Sequence, residues 1–155
     1  MNVDEDLNWT WAAFDQLSNH QVHDLLQLRT DIFVVEQRCA YPEVDGADPF
    51  SWHLLGTGVN GQLIAYARVI PPKEGAPVII GRVVVRQEHR GKGAGHRLME
   101  RCMQEIRDQF GRVPIRLSAQ AHLTRYYEAY GFVRSGPEYP WDGIPHVDMV
   151  ISATA

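Results

Sequence analysis

The order of the predicted elements places this chain in the α+β class, as a mixed α/β fold with helices packed on one sheet. Apolar residues follow strand or helix spacing in the order strand, helix, hairpin strands, helix, strand, helix, strands. An Asn60-Gly61 pair between two apolar runs is a strong hairpin signal, so the neighbouring strands are expected to be antiparallel. The 155 residues are enough for a single domain, residues 1–155, with its own core.

The N-terminal part predicts one strand followed by one helix. The segment NWTWAAF, residues 8 to 14, has the composition of a strand. Ser18 and Gln21 have the spacing of a capping box and therefore mark the start of a helix. Apolar residues then recur at helical spacing as far as Phe33, and the helix is expected to end near Gln37 with one face on the core.

A long loop and three strands follow this helix. Residues 38 to 50, RCAYPEVDGADPF, are rich in turn formers and carry Glu43, Asp45 and Asp48. Loops of this length are often functional. The next apolar runs predict strands over residues 52–55, 63–70 and 78–85.

The C-terminal half predicts two helices and further strands. Leu98, Cys102 and Ile106 lie on one helix face, and Gly111 is a helix stop. The remaining segments are a strand at 115–118, a short helix at 122–130, and strands that begin at Phe132 and at 147.

Composition excludes several functional classes. The net charge of −4 argues against nucleic acid as the main partner, because phosphate-binding domains are usually basic. No apolar run approaches the roughly 20 residues of a membrane helix, and the acidic N-terminus is unlike a signal peptide. The two cysteines, Cys39 and Cys102, are too few for a disulfide scaffold, so a reduced cytoplasmic setting is expected. The seven histidines lack metal-ligand spacing, and we expect no metal.

The turn RGKGAG, residues 90 to 95, is the first candidate for chemistry. It follows the strand VVV and precedes a helix, so free backbone N–H groups and the helix dipole can bind an anion such as phosphate. The alternative is a solvated turn without a ligand. The turn does not match the P-loop pattern, because the Ser or Thr of that pattern is absent. It does not match the dinucleotide-binding pattern either, because Gly91, Gly93 and Gly95 are spaced two apart.

Two motifs in this chain resemble those of the GNAT (GCN5-related N-acetyltransferase) superfamily. Arg90, Gly93 and Gly95 match its Arg-x-x-Gly-x-Gly signature. The segment YYEAYGF, residues 126 to 132, is similar to its aromatic-Tyr-Glu-x-x-Gly-Phe segment. Further stretches, among them LLQLRTDIFVVEQ and DGIPH, resemble the ElaA branch. The resemblance implies a central, mostly antiparallel, twisted sheet of about six to seven strands flanked by about four helices.

The family resemblance also implies a donor and its binding residues. The donor is acetyl-CoA, used as a cosubstrate. Gln120 stands where many members carry an Asn that touches CoA. The backbone of strand VVV would hold the pantetheine arm and could stabilise the oxyanion. The predicted CoA-binding residues are Val83, Val84, Val85, Arg90, Gly91, Lys92, Gly93, Ala94, Gly95 and Gln120.

Tyr127 resembles the GNAT general acid. A phenol with a pKa near 10 stays protonated at neutral pH and can protonate a leaving thiolate. The alternative is that Tyr127 only packs between helix and sheet, although Tyr126 is expected to be the core residue of the pair. The base is open, because the carboxylate that many members carry near positions 81 and 82 is absent. The main candidates are Glu36 and His146, and Glu36 could instead pair with an arginine.

The acceptor site is predicted only in outline. Asp45 and Asp48 can attract a cationic amine, and Arg29 and Arg68 can bind a carboxylate of the acceptor. These arginines could equally pair internally with Glu36 or Asp45. The acceptor is expected to be a primary amine of a small molecule or peptide, and the family resemblance adds a homodimer through the strand edge near residues 132–151 as a further expectation.

Three functional interpretations follow. The first is an acetyl-CoA-dependent N-acyltransferase with direct attack by the amine in a ternary complex. The second is a non-catalytic acyl-CoA-binding or sensing module, which the absent strand carboxylate favours and the retained Tyr127 disfavours. The third is an acyl-homoserine-lactone synthase-like transferase, suggested by LRTDIFVVEQ followed by Asp45 and Asp48.

Overall fold

The structure is a computed structural model, and it describes residues 6–38, 42–141 and 143–152. Its described part contains one eight-stranded sheet and three α-helices, which confirms the mixed α/β class. The strands are β1 (Asn8–Ala13), β2 (Trp52–Thr57), β3 (Leu63–Ile70), β4 (Val78–Val85), β5 (Ile115–Gln120), β6 (Val133–Arg134), β7 (Tyr139–Trp141) and β8 (Ile144–Ile151). The helices are α1 (Asn19–Arg29), α2 (Ala94–Phe110) and α3 (Thr124–Glu128).

The strands lie in the order β1-β2-β3-β4-β5-β8-β6, and β7 also pairs with β8. All neighbours are antiparallel except β4 and β5, which are parallel. Parallel neighbours need a long crossover connection, and α2 provides it. Strand β7 was not predicted, because its three residues include Pro140 and show no alternation long enough to detect.

Helix α1 begins as the sequence predicts and ends differently. The Ser18 side chain accepts a hydrogen bond from the Gln21 backbone N–H, and the Gln21 side chain accepts one from the Ser18 N–H. The α-helical hydrogen bonding stops at Arg29, and residues Thr30–Glu36 continue as a π-helix. The single helix expected up to Gln37 is therefore two segments of different winding, and π-helical turns are frequent at functional sites.

Two apolar clusters cover the two faces of the sheet. The larger packs the buried face of α2, including Leu98, Cys102 and Ile106, against β3, β4, β5 and β8. The smaller packs Leu25 and Leu28 of α1 against β2, β3 and β4. Cys102 is a core residue, as predicted, and burial raises its thiol pKa to about 12. Cys39 lies outside the described residues.

Candidate functional site

Strands β4 and β5 separate along their length and open a cleft in the middle of the sheet. Their paired residues are Val78 with Ile115 and Ile79 with Arg116, near the start of both strands. Both strands then continue, to Val85 and to Gln120, without further pairing among the described residues. The carboxyl ends of two parallel strands are therefore exposed to a ligand between them, which is where open α/β sheets usually bind one.

A β-bulge in β4 helps to open this cleft. Between the pairs Tyr66–Val84 and Arg68–Gly81, two residues of β4 face one residue of β3. One of the two is Arg82, with φ of 54°, in the left-handed region that few residues other than glycine adopt. A bulge bends its strand and increases the local twist, and bulges are common beside active sites.

The predicted anion-binding turn, residues 90–95, follows β4 after Arg86 and one 3-10 turn at Gln87–His89. Gly91 and Gly93 have φ values of 79° and 83°, and Gly93 is the N-cap of α2. The turn thus needs glycine at both positions, since a side chain there would be strained. The first N–H groups of α2 have no partner within the helix, and the dipole of this long helix adds positive charge at the same point. Lys92 is exposed in this turn.

Arg90 and Gln120 lie on the two sides of the cleft, and both side chains have hydrogen-bond partners. Arg90 donates from both terminal nitrogens to Glu36, at 3.0 and 2.8 Å, and from Nε to the Val85 carbonyl. Gln120 donates to the Gln37 side chain at 3.0 Å. The end of the π-helix therefore contacts the turn after β4 and the end of β5 together. Glu36 therefore pairs with an arginine, which was the predicted alternative to a role as the base.

Tyr127 lies on α3, beyond the end of β5. It is 7% exposed and packs edge-on against Tyr126 and Phe132, with ring centroids 4.9 and 6.2 Å away. Its hydroxyl has no hydrogen-bond partner within residues 6–38, 42–141 and 143–152. Burial raises the pKa of Tyr127 well above its usual value, so the phenol is protonated at neutral pH.

Tyr126 was expected to be the core residue of the pair, but Tyr127 is the more buried of the two. Tyr126 is only half-buried, and its hydroxyl donates to the Gly95 carbonyl in the first turn of α2. Tyr130 makes a similar contact, because its hydroxyl bonds the Nδ1 atom of His96. These two tyrosines attach α3 and the residues after it to the beginning of α2, and so connect Tyr127 to the predicted anion-binding turn.

His146 lies on β8, directly opposite Gln120 of β5. Its Nδ1 atom is 2.8 Å from the Ile144 carbonyl oxygen. A carbonyl oxygen only accepts hydrogen bonds, so Nδ1 carries the proton and Nε2 of the neutral ring holds a lone pair. His146 is half-buried and thus accessible in part. Its position and tautomer suit a base at the open end of β5.

The predicted acceptor residues form a buried arginine–carboxylate network with two further side chains. Arg29 is fully buried, and it contacts Glu43 Oε2 at 2.6 Å and Asp48 Oδ1 at 2.7 Å. Arg68 bonds both Asp45 oxygens, at 2.8 and 3.0 Å, and Asp48 at 3.2 Å. The members of the network are Arg29, Arg68, Arg82, Glu43, Asp45 and Asp48.

Arg82 connects this network to the bulge in β4. Its Nε atom donates to Glu43 Oε2 at 2.8 Å, and one terminal nitrogen donates to Asp45 at 3.2 Å. Partial burial is the largest single influence and raises the pKa of the Asp45 carboxyl, but the hydrogen bonds from Arg68 and the Ala47 N–H and the charges of Arg68 and Arg82 together lower it to about 2. The sequence left open whether Arg29 and Arg68 bind the acceptor or pair internally. In the structure both arginines pair internally.

Sequence reasoning missed several of these residues. Arg82 carried no signal, because neither the bulge nor a positive φ at an arginine can be recognised from one sequence. Tyr139 and Trp141 lie on the unpredicted strand β7. The loop that contains Glu43 was singled out, and its length and acidic residues were the available signal.

Metal-ligand groups and membrane-spanning helices are absent from the described residues. In residues 6–38, 42–141 and 143–152, no group of three or more His, Cys, Asp or Glu side chains could hold a metal ion. No helix in that same part of the chain is long and apolar enough to cross a membrane.

Comparison with known proteins agrees with this architecture. The family described as Acetyltransferase (GNAT) domain matches residues 50–153. Protein ElaA of Escherichia coli (strain K12) is 39% identical over 146 residues, which cover 92% of this chain and 95% of ElaA.

Solved structures agree as well. The crystal structure of Escherichia coli ElaA has a TM-score of 0.89 at 38% identity and covers 94% of this chain and 99% of its own. The crystal structure of an acyl-CoA N-acyltransferase from Pseudomonas aeruginosa has a TM-score of 0.89 at 46% identity, with the same coverage. This chain therefore belongs to the GNAT superfamily of acyltransferases, within its ElaA-like branch.

Proposed function

We propose that this protein, over residues 1–155, is one N-acetyltransferase domain that uses acetyl-CoA. The acceptor is a primary amine of a small molecule or peptide, which attacks directly in a ternary complex. The observation that carries the proposal is the cleft between β4 and β5, with the anion-binding turn at the end of one strand and Tyr127 beyond the end of the other.

The residues of the cleft fit the donor. The turn from Arg90 to Gly95 has the backbone conformation and the helix N-terminus that a pyrophosphate needs. At Gly91, an added Cβ would meet no atom within 4 Å, so the turn is open to an approaching group. Val83, Val84 and Val85 lie where β4 has left β5, and their backbone would bond the amides of the pantetheine arm. Gln120 would contact the same arm from β5.

The donor supplies the acetyl group as an activated thioester. When the amine nitrogen bonds to the carbonyl carbon, the carbon–sulfur bond breaks, and each side needs a proton transfer. Tyr127 is proposed to protonate the leaving sulfur, because its hydroxyl has no partner among the described residues. Burial raises the pKa of this phenol and makes it a weaker acid, so the proton moves only as negative charge develops on the sulfur beside it. His146 is suited to take the proton of the amine, through the lone pair on Nε2.

Glu36 and the arginine–carboxylate network support the site in this proposal. Glu36 holds Arg90 through two hydrogen bonds, which leaves His146 as the better base. Arg29, Arg68, Asp45 and Asp48 pair with one another, so we propose that they form the floor of the acceptor side and do not bind the acceptor directly.

The test begins with calorimetric binding of acetyl-CoA, with ATP and NADH as controls. We expect micromolar binding of acetyl-CoA alone. Absence of that binding would refute the donor assignment. Binding without thiol release for any amine, amino acid or peptide would favour the acyl-CoA-binding or sensing module.

The acid is tested with Tyr127→Phe, which keeps the ring and removes the proton. We expect thiol release to fall about tenfold or more, since general acid catalysis contributes on that scale, while acetyl-CoA affinity stays nearly the same. Tyr130→Phe makes the same chemical change at a hydroxyl that holds α3 against α2, so it measures the loss of that structural contact alone. Equal turnover of the parent and Tyr127→Phe would remove Tyr127 from the acid role.

A further inference from the structure

The hairpin of β7 and β8 presents an accessible polar face beside the cleft. Along β5 and β8, one face is buried in the core through Leu117, Ala119, Val147 and Met149. The alternating residues lie on the opposite face and are half-buried or exposed, namely Ser118, Gln120, His146 and Asp148. Gln120 and His146 are a register pair, so this face continues from the open end of β5.

Two aromatic rings of β7 lie beside His146 on this face. Tyr139 is its register partner on β7, and their ring centroids are 6.2 Å apart with planes 27° from parallel. Trp141 lies two residues further along β7, on the same side, with its ring centroid 5.8 Å from that of His146. Trp141 is 43% exposed, so the face of this aromatic group is accessible to a ligand.

The Tyr139 ring is held in place by its hydroxyl group. The hydroxyl donates to Asp148 Oδ1 at 2.6 Å and is also hydrogen-bonded to the Ser118 hydroxyl. Arg116 pairs with the other oxygen of Asp148, which holds the ionised carboxylate in position. A phenol that donates to a carboxylate is polarised, which increases the negative charge on its ring face. Negative ring faces attract cations.

We propose that Tyr139, Trp141 and His146 form the binding site for the acceptor, and that the acceptor is a primary aliphatic amine that arrives as an ammonium ion. This inference rests on the proposed acetyl transfer and names its acceptor class. The rings attract the ammonium, and His146 Nε2 accepts one of its protons. The nitrogen then holds the lone pair needed to attack, and the positive charge moves to the imidazole, still beside the same rings.

The test uses a probe pair of similar size that differs in charge. n-Butylammonium chloride and 1-butanol are titrated at pH 7 into the full chain, without and with saturating CoA. Binding is followed by the NMR signals of the Trp141 indole N–H and the His146 imidazole. We expect saturable shifts with n-butylammonium and much smaller shifts with 1-butanol at the same concentration. Nitrogen shifts of His146 should also show that Nδ1 is the protonated atom.

Variants locate the site. Trp141→Leu and Tyr139→Leu should weaken n-butylammonium binding at the His146 signal about tenfold, whereas Phe50→Leu, at an exposed ring elsewhere, should have no effect. Equal shifts with 1-butanol would mean an apolar patch only and would overturn the proposal. Absence of shifts with and without CoA, or unchanged binding in both hairpin variants, would overturn it too. Calorimetric binding of acetyl-CoA to these variants tests the donor assignment separately.

Discussion

Removal of Arg29 should test whether the arginine–carboxylate network is a structural element. The Arg29 side chain is 0% exposed, and its partners Glu43 and Asp48 are 5% and 6% exposed. In Arg29→Met, both carboxylates lose a short ion pair in a site with little solvent to replace it. Loss of one partner from a buried ion pair costs about 3–5 kcal/mol, because the other charge stays buried.

The ion pairs that remain in Arg29→Met determine where in the range of about 3–5 kcal/mol the loss of stability falls. Glu43 keeps Arg82 at 2.8 Å, and Asp48 keeps Arg68 at 3.2 Å. We therefore expect a loss near the lower end, about 3 kcal/mol, in the free energy of unfolding. That is a large fraction of the roughly 5–15 kcal/mol by which a domain is stable.

Urea unfolding followed by circular dichroism measures this loss, and the slope of the transition shows whether the folded state stays compact. Arg101→Met is the matched control, since Arg101 pairs with Glu105 on the exposed side of α2 and its side chain is 47% exposed. We expect Arg101→Met to lower the free energy of unfolding by less than about 1 kcal/mol. Equal losses in Arg29→Met and Arg101→Met would refute the argument that the network contributes to stability through its burial.

Three further variants test individual residues. Glu36→Gln should leave the affinity for CoA equal or higher, because it frees the charge of Arg90 beside the proposed anion site. A loss of affinity of about tenfold by calorimetry, roughly 1.4 kcal/mol, would contradict the proposal that Arg90 contributes to that site. Gly93→Val should weaken acetyl-CoA binding strongly, because a β-branched residue is strained at φ of 83° and fills the turn, whereas unchanged affinity would refute the pyrophosphate assignment. For Asp45, whose folded-state pKa is lowered from 3.8 to about 2, the stabilising contribution is complete above pH 3.8 and is lost as the pH falls towards 2. The stability difference between the parent and Asp45→Asn should therefore shrink between pH 5 and pH 2, and a constant difference would exclude this carboxylate as its source.

Local signals allowed much of the fold and the glycine turn at 90–95 to be predicted from the sequence. The capping box at Ser18, the Asn60-Gly61 turn and the helix stop at Gly111 each depend on residues close together in the chain, and the structure confirms all three. The glycines of the turn at 90–95 could be recognised for the same reason. Their φ values follow from a local conformation that a side chain would strain.

The arginine–carboxylate network and the contact between Gln37 and Gln120 depended on distant parts of the chain. Glu43 meets Arg82, 39 residues away, and Gln37 meets Gln120, 83 residues away. A sequence shows that an arginine and a carboxylate are present, but not which ones meet, because their pairing depends on the sheet order and on the bulge at Arg82. Local spacing thus determined the longer strands, the start of α1, helix α2 and the glycine turn at 90–95. Only the tertiary structure decided that Arg29 and Arg68 are paired internally and that His146 lies beside two aromatic rings of β7, since those contacts form when separate segments of the chain pack together.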